Sequence, residues 1–511
     1  MNIIDLGEDI LCEVCTYLSL PDIMAFSLTC ATIHDWVCSN DVFHKLFLRR
    51  FGHITPLDPK KYKWSELLKI RSSKDLQFYT WGSGTLGRLG YSPRDVSNDR
   101  RARHSFGIHT PTIVSNFKDI IIESILSGGF SFQLLIDGAI YSTGMGYNDG
   151  SGRMARPGPQ EPDYAPHLDF LTEQIGVHVG VGLRHPIMLV PQLTTRENED
   201  NWNERIKKSS FLTLLRIPSA KSSSQRKIRR ISSGRMHILA LDNHGVLYSW
   251  DSGNHDPELA VQIILPDIDG SIQDISAGWD MSACNVRGTG LLYWHSREPV
   301  SKEKCEDKSF ESAAFYSIVP QLQLAINFTC LSDTIVYIAL DGLLYAYDAP
   351  ETHDPQSIPK PVSLFNRWLM EHTKNLTEPL FTKISGSFKS FSVFTSNGLV
   401  LLGNIDGDCE NWIPELLPEI QNTGVIDIVN GDYHKLALTD DGELWSWGIE
   451  LQRNGCLGLG DLSSSTDDTI INEGLNARVT VPKKVPKPSK GRWLAVTAGG
   501  WHSGGLFIAG I

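Results

Sequence analysis

The sequence predicts a mainly β protein, a closed propeller of sheet blades preceded by a small all-helical module. Three observations predict this. A hairpin-forming unit recurs along most of the chain, the two ends of that repeat region are complementary half-units, and the leading segment has helical rather than strand periodicity.

In the leading segment, Ile10, Leu11, Val14 and Leu18 fall on one stripe of an amphipathic helix, with Asp5 placed to cap it and Glu8 three residues later. Leu20-Pro21-Asp22 interrupts the stripe, and Pro21 opens a second helix carrying Ile23, Phe26 and Leu28. Trp36, Val42, Phe43 and Leu46 mark a third short helical element. A unit of about fifty residues has little core of its own, so its apolar stripe is expected to continue into a partner.

These residues resemble the F-box, the helical module that docks on the Skp adaptor of cullin-based ubiquitin ligases. The resemblance rests on Leu6, Ile10, Leu11, Val14, Leu18, Pro21, Ile23 and Leu28, followed by Trp36 and Asp41-Val42-Phe43. It implies that Leu6 to Leu28 of this set contact a Skp-type adaptor and, through it, a cullin. Gly7 departs from the pattern, which has proline after the leucine. The alternative is a helical cap packed on the propeller. Residues 51–75, with Pro56, Pro59 and a helix expected over Tyr62 to Ile70, read as a semi-rigid spacer. The expected division is a module at 1–50, a linker at 51–75 and a propeller at 76–511.

The repeating unit is clearest from Ile428 to Gly448: a small residue, Gly431, two variable residues, His434, an alternating strand, the Asp441-Gly442 turn, and a second strand ending Trp447-Gly448. It recurs at Ile231 to Gly253 and Ile275 to Ser296, and can be traced at Leu126 to Gly144, Leu331 to Asp348 and Ile384 to Asn404. A weak copy at Val179 to Leu189 lacks the turn, and Ser210 to Pro218 is expected to close it across a polar insertion. Successive opening positions stand roughly fifty residues apart, a spacing of propellers and solenoids. A lone hairpin is marginal, so neighbours must cover its faces.

The chain enters the repeats at a second half, Phe78 to Gly82, and leaves at a first half, Ala498 to Ile508. Joined, the halves make one blade from both ends, which protects the sheet edges of a ring. The unit resembles the repeat of the regulator of chromosome condensation, over roughly Leu76 to Ile511. That family implies seven blades with a split, latched blade; eight would follow if every weak copy were a blade.

Other chemistry is weaker. Gly82, Gly84 and Gly87 fit the G-x-G-x-x-G of a dinucleotide-binding turn, but Gly90 and Pro93 break the helix that such a site requires. Similar glycines recur from Gly448 to Gly460, so a turn between strands is the better reading, and no cofactor is expected. Cys12 and Cys15, with Cys30 and Cys38 nearby, resemble half a zinc site, but small buried cysteines are the commoner case. His237, His434 and His502 each stand three residues after a glycine, a repetition that argues for structure rather than catalysis. Basic stretches at Arg205 to Arg235 and Lys483 to Arg492 are nuclear-import or nucleic-acid candidates against a solvated-loop alternative.

The bulk numbers agree with an intracellular binding protein. The formal net charge of −12 argues against a chain built to hold nucleic acid. No apolar run is long enough to span a membrane. Nine cysteines without a signal-like N-terminus point to a reduced compartment, the cytoplasm or nucleus. The resemblances together imply a non-catalytic substrate receptor of an SCF-type ubiquitin ligase, with a protein target of unspecified identity. The second reading, from the repeat family's namesake, is a guanine-nucleotide exchange factor or chromatin regulator of the Ran type.

Overall fold

In the computed structural model the described residues are 7–15, 18, 20–51, 63–91, 96–101, 107–117, 119–144, 212–218, 226–235, 237–251, 254, 258–300, 310–320, 324–351, 357–373 and 379–510. They form seven sheets, each a propeller blade, behind a cluster of helices.

Each blade grows from the hairpin anticipated by its turn. In the sixth blade, His434–Thr439 pairs antiparallel with Leu444–Glu450, and Leu438 faces Leu444 across the turn. Gly442 takes φ +79° there, and its N–H donates to the Thr439 carbonyl at 3.0 Å. A left-handed residue at this point is cheap for glycine and strained for others. Leu436, Leu438 and Leu444 then point into the core shared with the seam blade.

The first blade contains Ser124–Ser127, Phe132–Ile136, Ala139–Thr143 and Leu212–Leu215. Its fourth strand comes from the segment expected to close the Val179 copy, and Leu215 pairs with Ile140 instead. The Val179 to Leu189 copy lies outside the described residues. The ring has seven blades rather than eight. The second blade acquires a strand that sequence patterning does not show: Glu311–Ala313, which lies between the last two strands of the third blade in sequence, adds parallel to Val261–Ile264. In the sixth, Ile470–Glu473 and Asn476–Lys484 form an extra hairpin, and the latter strand pairs with Leu444–Glu450.

The seam is built from both ends of the propeller. Gln77–Ser83 pairs antiparallel with His502–Ala509 from Gln77↔Phe507 to Gly82↔His502, flanked by Gly107–Ile113 and Gly491–Gly499. Aromatic rings pack it inside and out: Phe78 meets Phe132 of the first blade edge-on at 5.5 Å, and within the seam blade Trp81 lies 5.8 Å from Trp493. All four are buried. Truncating one such ring to alanine costs about 3–5 kcal/mol.

The glycines that open the repeats meet around the central channel. Gly129 N–H donates to Gly234 O at 3.3 Å, Arg235 N–H to Gly278 O at 3.1 Å, and Trp279 N–H to Leu331 O at 3.0 Å. Ser332 N–H donates to Phe388 O at 2.8 Å and Asp432 N–H to Gly500 O at 3.2 Å. Neighbouring blades thus share a belt of main-chain bonds. Glycine is required where the belt is tightest, because a Cβ on Gly278 would lie 2.4 Å from Leu331 O.

The leading helices are α1 (Glu8–Cys15), α2 (Leu20–Ser27), α3 (Ala31–Val37) and α4 (Asn40–Phe51), followed by α5 (Trp64–Arg71). Where the sequence suggested one third element there are two helices. Cys30 is extended before α3, and Cys38 and Ser39 separate α3 from α4. No helix among the described residues is long and apolar enough to cross a membrane.

Candidate functional site

The core of the helical module is closed by Cys12, Cys15, Ile23, Ile33, Val37 and Val42. The residues singled out from sequence divide sharply around it. Leu11 and Ile23 are 1% and 0% exposed and hold the helices together. Ile10, Val14, Leu18 and Leu28 remain 52%, 46%, 36% and 81% exposed. Met24, which the sequence reading passed over, joins them at 48%. Its signal was its place one residue after Ile23, about 100° around a helix whose buried face was already assigned. Leu18 and Leu28 each lie just past a helix end, at the C-terminal sides of α1 and α2. Pro21 lies in the first turn of α2, where its missing N–H is harmless. Leu6 and the capping Asp5 lie outside the described residues.

The module is fastened to the propeller through α5. Trp64 stacks on His44 at 4.1 Å and approaches Phe47 at 5.3 Å, joining α5 to α4. From the other end of α5, buried Arg71 donates to Ile122 O at 2.6 Å and Glu123 O at 3.1 Å, while Arg50 pairs with Glu123 at 3.4 Å. Burial, with Arg50 nearby, lowers the Arg71 guanidinium to about 9, so it remains charged at neutral pH. Ile122 and Glu123 precede the innermost strand of the first blade, at the end where the Asp137-Gly138 turn lies. The belt of glycines is at the other end of that strand. Module and channel mouth therefore occupy opposite faces of the ring.

At that mouth a cavity of about 220 Å³ is walled by small polar side chains of the inner strands, among them Ser127, Ser232, Ser276 and Ser385. Over it lies a stack the sequence reading did not single out. The Arg235 guanidinium sits 3.7 Å above the Trp279 ring, Trp279 lies 4.1 Å from Phe388, and Phe388 meets Tyr433 edge-on at 6.1 Å. All four come from the two or so residues after an opening glycine or its equivalent. Asp432 lines the cavity, where burial raises its carboxyl to about 6 against the pull of Arg235 and Arg88.

The repeated histidines link blades. His434 and His502 are fully buried, and His502 Nε2 is 3.2 Å from Ser131 O of the first blade. Burial lowers His434 to about 3 and His502 well below the usual imidazole range. Burial also lowers His237, which faces the Met281 main chain of the third blade. The ring of His434 fills the space beside Gly431, where a Cβ would stand 2.3 Å from Cε1.

The remaining motifs are structural in the same way. After Gly82 and Gly84, Thr85–Gly87 make one 3-10 turn, and no α-helix follows among the described residues up to the first blade. Arg88 O then accepts from Thr143 Oγ1 at 2.6 Å, so the stretch binds the seam to the first blade. Cys12 and Cys15 pack in the module core, and burial pushes both thiols up, away from the thiolate a metal would need. In the described part of the first basic stretch, Lys227 pairs with Asp137, Arg230 with Asp274, and Arg226 with the Tyr248 hydroxyl. In the second, Lys483 pairs with Asp467, and Lys484 and Lys487 with Glu443.

A closed helical module with an exposed apolar stripe, fixed to a seven-bladed ring of glycine-opened repeats, is the arrangement of an F-box domain joined to a propeller. Comparison with known proteins agrees. The F-box domain model matches residues 3–45, and the regulator of chromosome condensation (RCC1) repeat model matches residues 441–506. Along its length the chain is similar to SCF-associated factor 1 of Saccharomyces cerevisiae, 27% identical with 98% of this chain and 97% of that protein covered. It is also similar to the F-box protein pof9 of Schizosaccharomyces pombe, 25% identical with 99% and 90% covered. In fold it resembles yeast RCC1 (Prp20), solved bound to Kap60, with a TM-score of 0.53, 13% identity, and 85% of this chain and 89% of that one covered.

Proposed function

We propose that the chain is the substrate-recognition subunit of an SCF-type ubiquitin ligase. Its F-box docks on a Skp-type adaptor and through it a cullin, and its propeller holds a target protein for ubiquitination and proteasomal degradation. The observation that carries this reading is the exposed stripe of Ile10, Val14, Leu18, Met24 and Leu28 on a module whose own core is already closed. Such a surface is explained by a partner that covers it. The likeness to SCF-associated factor 1 supports the same assembly. The chain itself does no bond chemistry in this role: it raises the local concentration of a target lysine near a charged conjugating enzyme. The role belongs to the cytoplasm or nucleus.

The test is capture of a purified Skp-type adaptor by the wild-type chain and by a Val14→Asp/Leu28→Asp variant. Loss of capture with an unchanged thermal melt is the expected result. Undiminished capture overturns the docking face, and stimulated nucleotide release from Ran by the wild type would instead favour an exchange factor.

A further inference from the structure

The channel mouth combines two features that a purely structural plug does not need. The first is an unspent guanidinium. Arg235 lies face-on over Trp279 at 3.7 Å and 5.9 Å from the Phe130 centroid, only half-buried. Among the described residues its side chain makes no hydrogen bond and no ion pair, although Asp432 and Asp280 act on it from a distance. A stacked guanidinium is held flat with its N–H edge open, the geometry that receives a carboxylate through two parallel bonds. The second feature is a continuous aromatic surface beside that edge, running Trp279, Phe388, Tyr433, with Tyr433 exposed.

We propose that this mouth is the target-binding surface and that it takes an extended peptide segment of the target, seating an acidic side chain on Arg235 and an adjacent aromatic or aliphatic side chain on Phe388 and the exposed Tyr433. The inference rests on the substrate-receptor reading. Charge selects the occupant. The aromatic faces of the rim already carry cations, Arg235 over Trp279 at 3.7 Å and the Lys389 ammonium 5.8 Å from the Phe388 centroid, so an incoming anionic side chain has two positive groups to meet. Asp280 and Asp333 stand exposed on the rim and Asp432 lines the cavity below. That setting tolerates one carboxylate paired with a guanidinium and opposes a phosphate dianion. Because the F-box is fixed to the opposite face through Arg71, a peptide at the mouth leaves the adaptor surface free.

The experiment uses the full chain bound to a Skp-type adaptor and four synthetic fluorescent peptide libraries, randomised except for a central Glu, Gln, Lys or phosphoserine. Retention of the Glu library about tenfold above the Gln library is expected, the effect of one charge-assisted pair, with aromatic and aliphatic residues enriched next to the Glu. Arg235→Met abolishes the Glu preference, Arg235→Lys restores it only in part, and Tyr433→Ala removes the neighbouring apolar preference. Preference for Lys or phosphoserine, equal retention of Glu and Gln, or a Glu preference that survives Arg235→Met overturns the proposal. Adaptor capture is read on the same samples. Intact capture with no Glu preference refutes the mouth alone, whereas absent capture by the wild type refutes the receptor reading.

Discussion

His434 Nε2 of the sixth blade lies 2.7 Å from Ser503 Oγ of the seam blade. Ser503 in turn donates to Cys456 O at 2.9 Å, so its oxygen accepts the imidazole N–H and the proton of His434 belongs on Nε2. The same Cys456 carbonyl accepts from Trp81 Nε1 at 3.0 Å. One small network thus joins the sixth blade to both chain segments that close the ring. Ser503→Ala leaves a buried N–H without its acceptor and is expected to lower stability by about 1–3 kcal/mol, read from the midpoint of urea unfolding.

The same histidine gives a pH dependence of definite sign. Its folded value of about 3 lies below the unfolded value near 6.5, so between those pH values the unfolded chain binds a proton that the native one does not. His434 therefore adds stability that is full above the unfolded value and is lost as pH falls below it. Unfolding midpoints at pH 7.5 and pH 5 are expected to differ less in His434→Gln than in the wild type. His502, lowered in the same direction, keeps part of the dependence.

Glu450 works in the opposite sense. It is buried 3.9 Å from His109 between the sixth and seam blades, and burial raises its carboxyl to about 7. The native state keeps this proton where the unfolded chain has lost it, so stability falls as pH rises from about 4.5 through 7. Glu450→Gln is expected to stabilise the chain at pH 8 by roughly 1–3 kcal/mol and to change little at pH 4.5, measured by chemical unfolding at both.

Glycines of the channel belt and glycines of open turns should respond differently. Gly278→Ala sets a methyl 2.4 Å from Leu331 O and forces two blades apart, with an expected loss of about 1–3 kcal/mol. Gly245→Ala meets open space at φ +81° and carries only the backbone penalty, about 1 kcal/mol. Thermal melts of the two variants side by side check the order.

Within the helical module, Leu11→Ala and Leu28→Ala separate folding from docking. The first opens a cavity and is expected to cost about 2–5 kcal/mol in module stability. The second touches an exposed side chain, leaves the melt unchanged and weakens adaptor capture. Circular dichroism melts and capture assays on the same preparations distinguish them.

Much of the ring was legible because its signals are local and repeated. The Asp441-Gly442 turn, the alternation through Leu436 and Leu438, and the half-units at Phe78 and Ala498 each point to a pairing that the sheets show. The strand Glu311–Ala313 was not legible, since three residues added in parallel carry no period. The exposed stripe of the module was legible only as a mixture. Helical periodicity collects Ile10 and Leu11 together, yet the turn of the helix sends one outward and the other into the core. The channel mouth was missed for a plainer reason. Arg235, Trp279, Phe388 and Tyr433 occupy the variable positions of the unit, and a search for what repeats passes over what differs between copies.

The seam also sets an order of assembly. Gln77–Ser83 waits, from early in synthesis, for a partner strand made more than four hundred residues later, at His502–Ala509. The helical module lies upstream of both and shares no strand with them. During translation it can therefore take its final form while the ring is still open. A chain halted before His502 is then a half-finished tool, with its handle complete and its grip unformed. Such a product would carry a finished helical module beside a ring whose first strand still lacks its neighbour, so the last strand made is the one that turns an open row of blades into a closed circle.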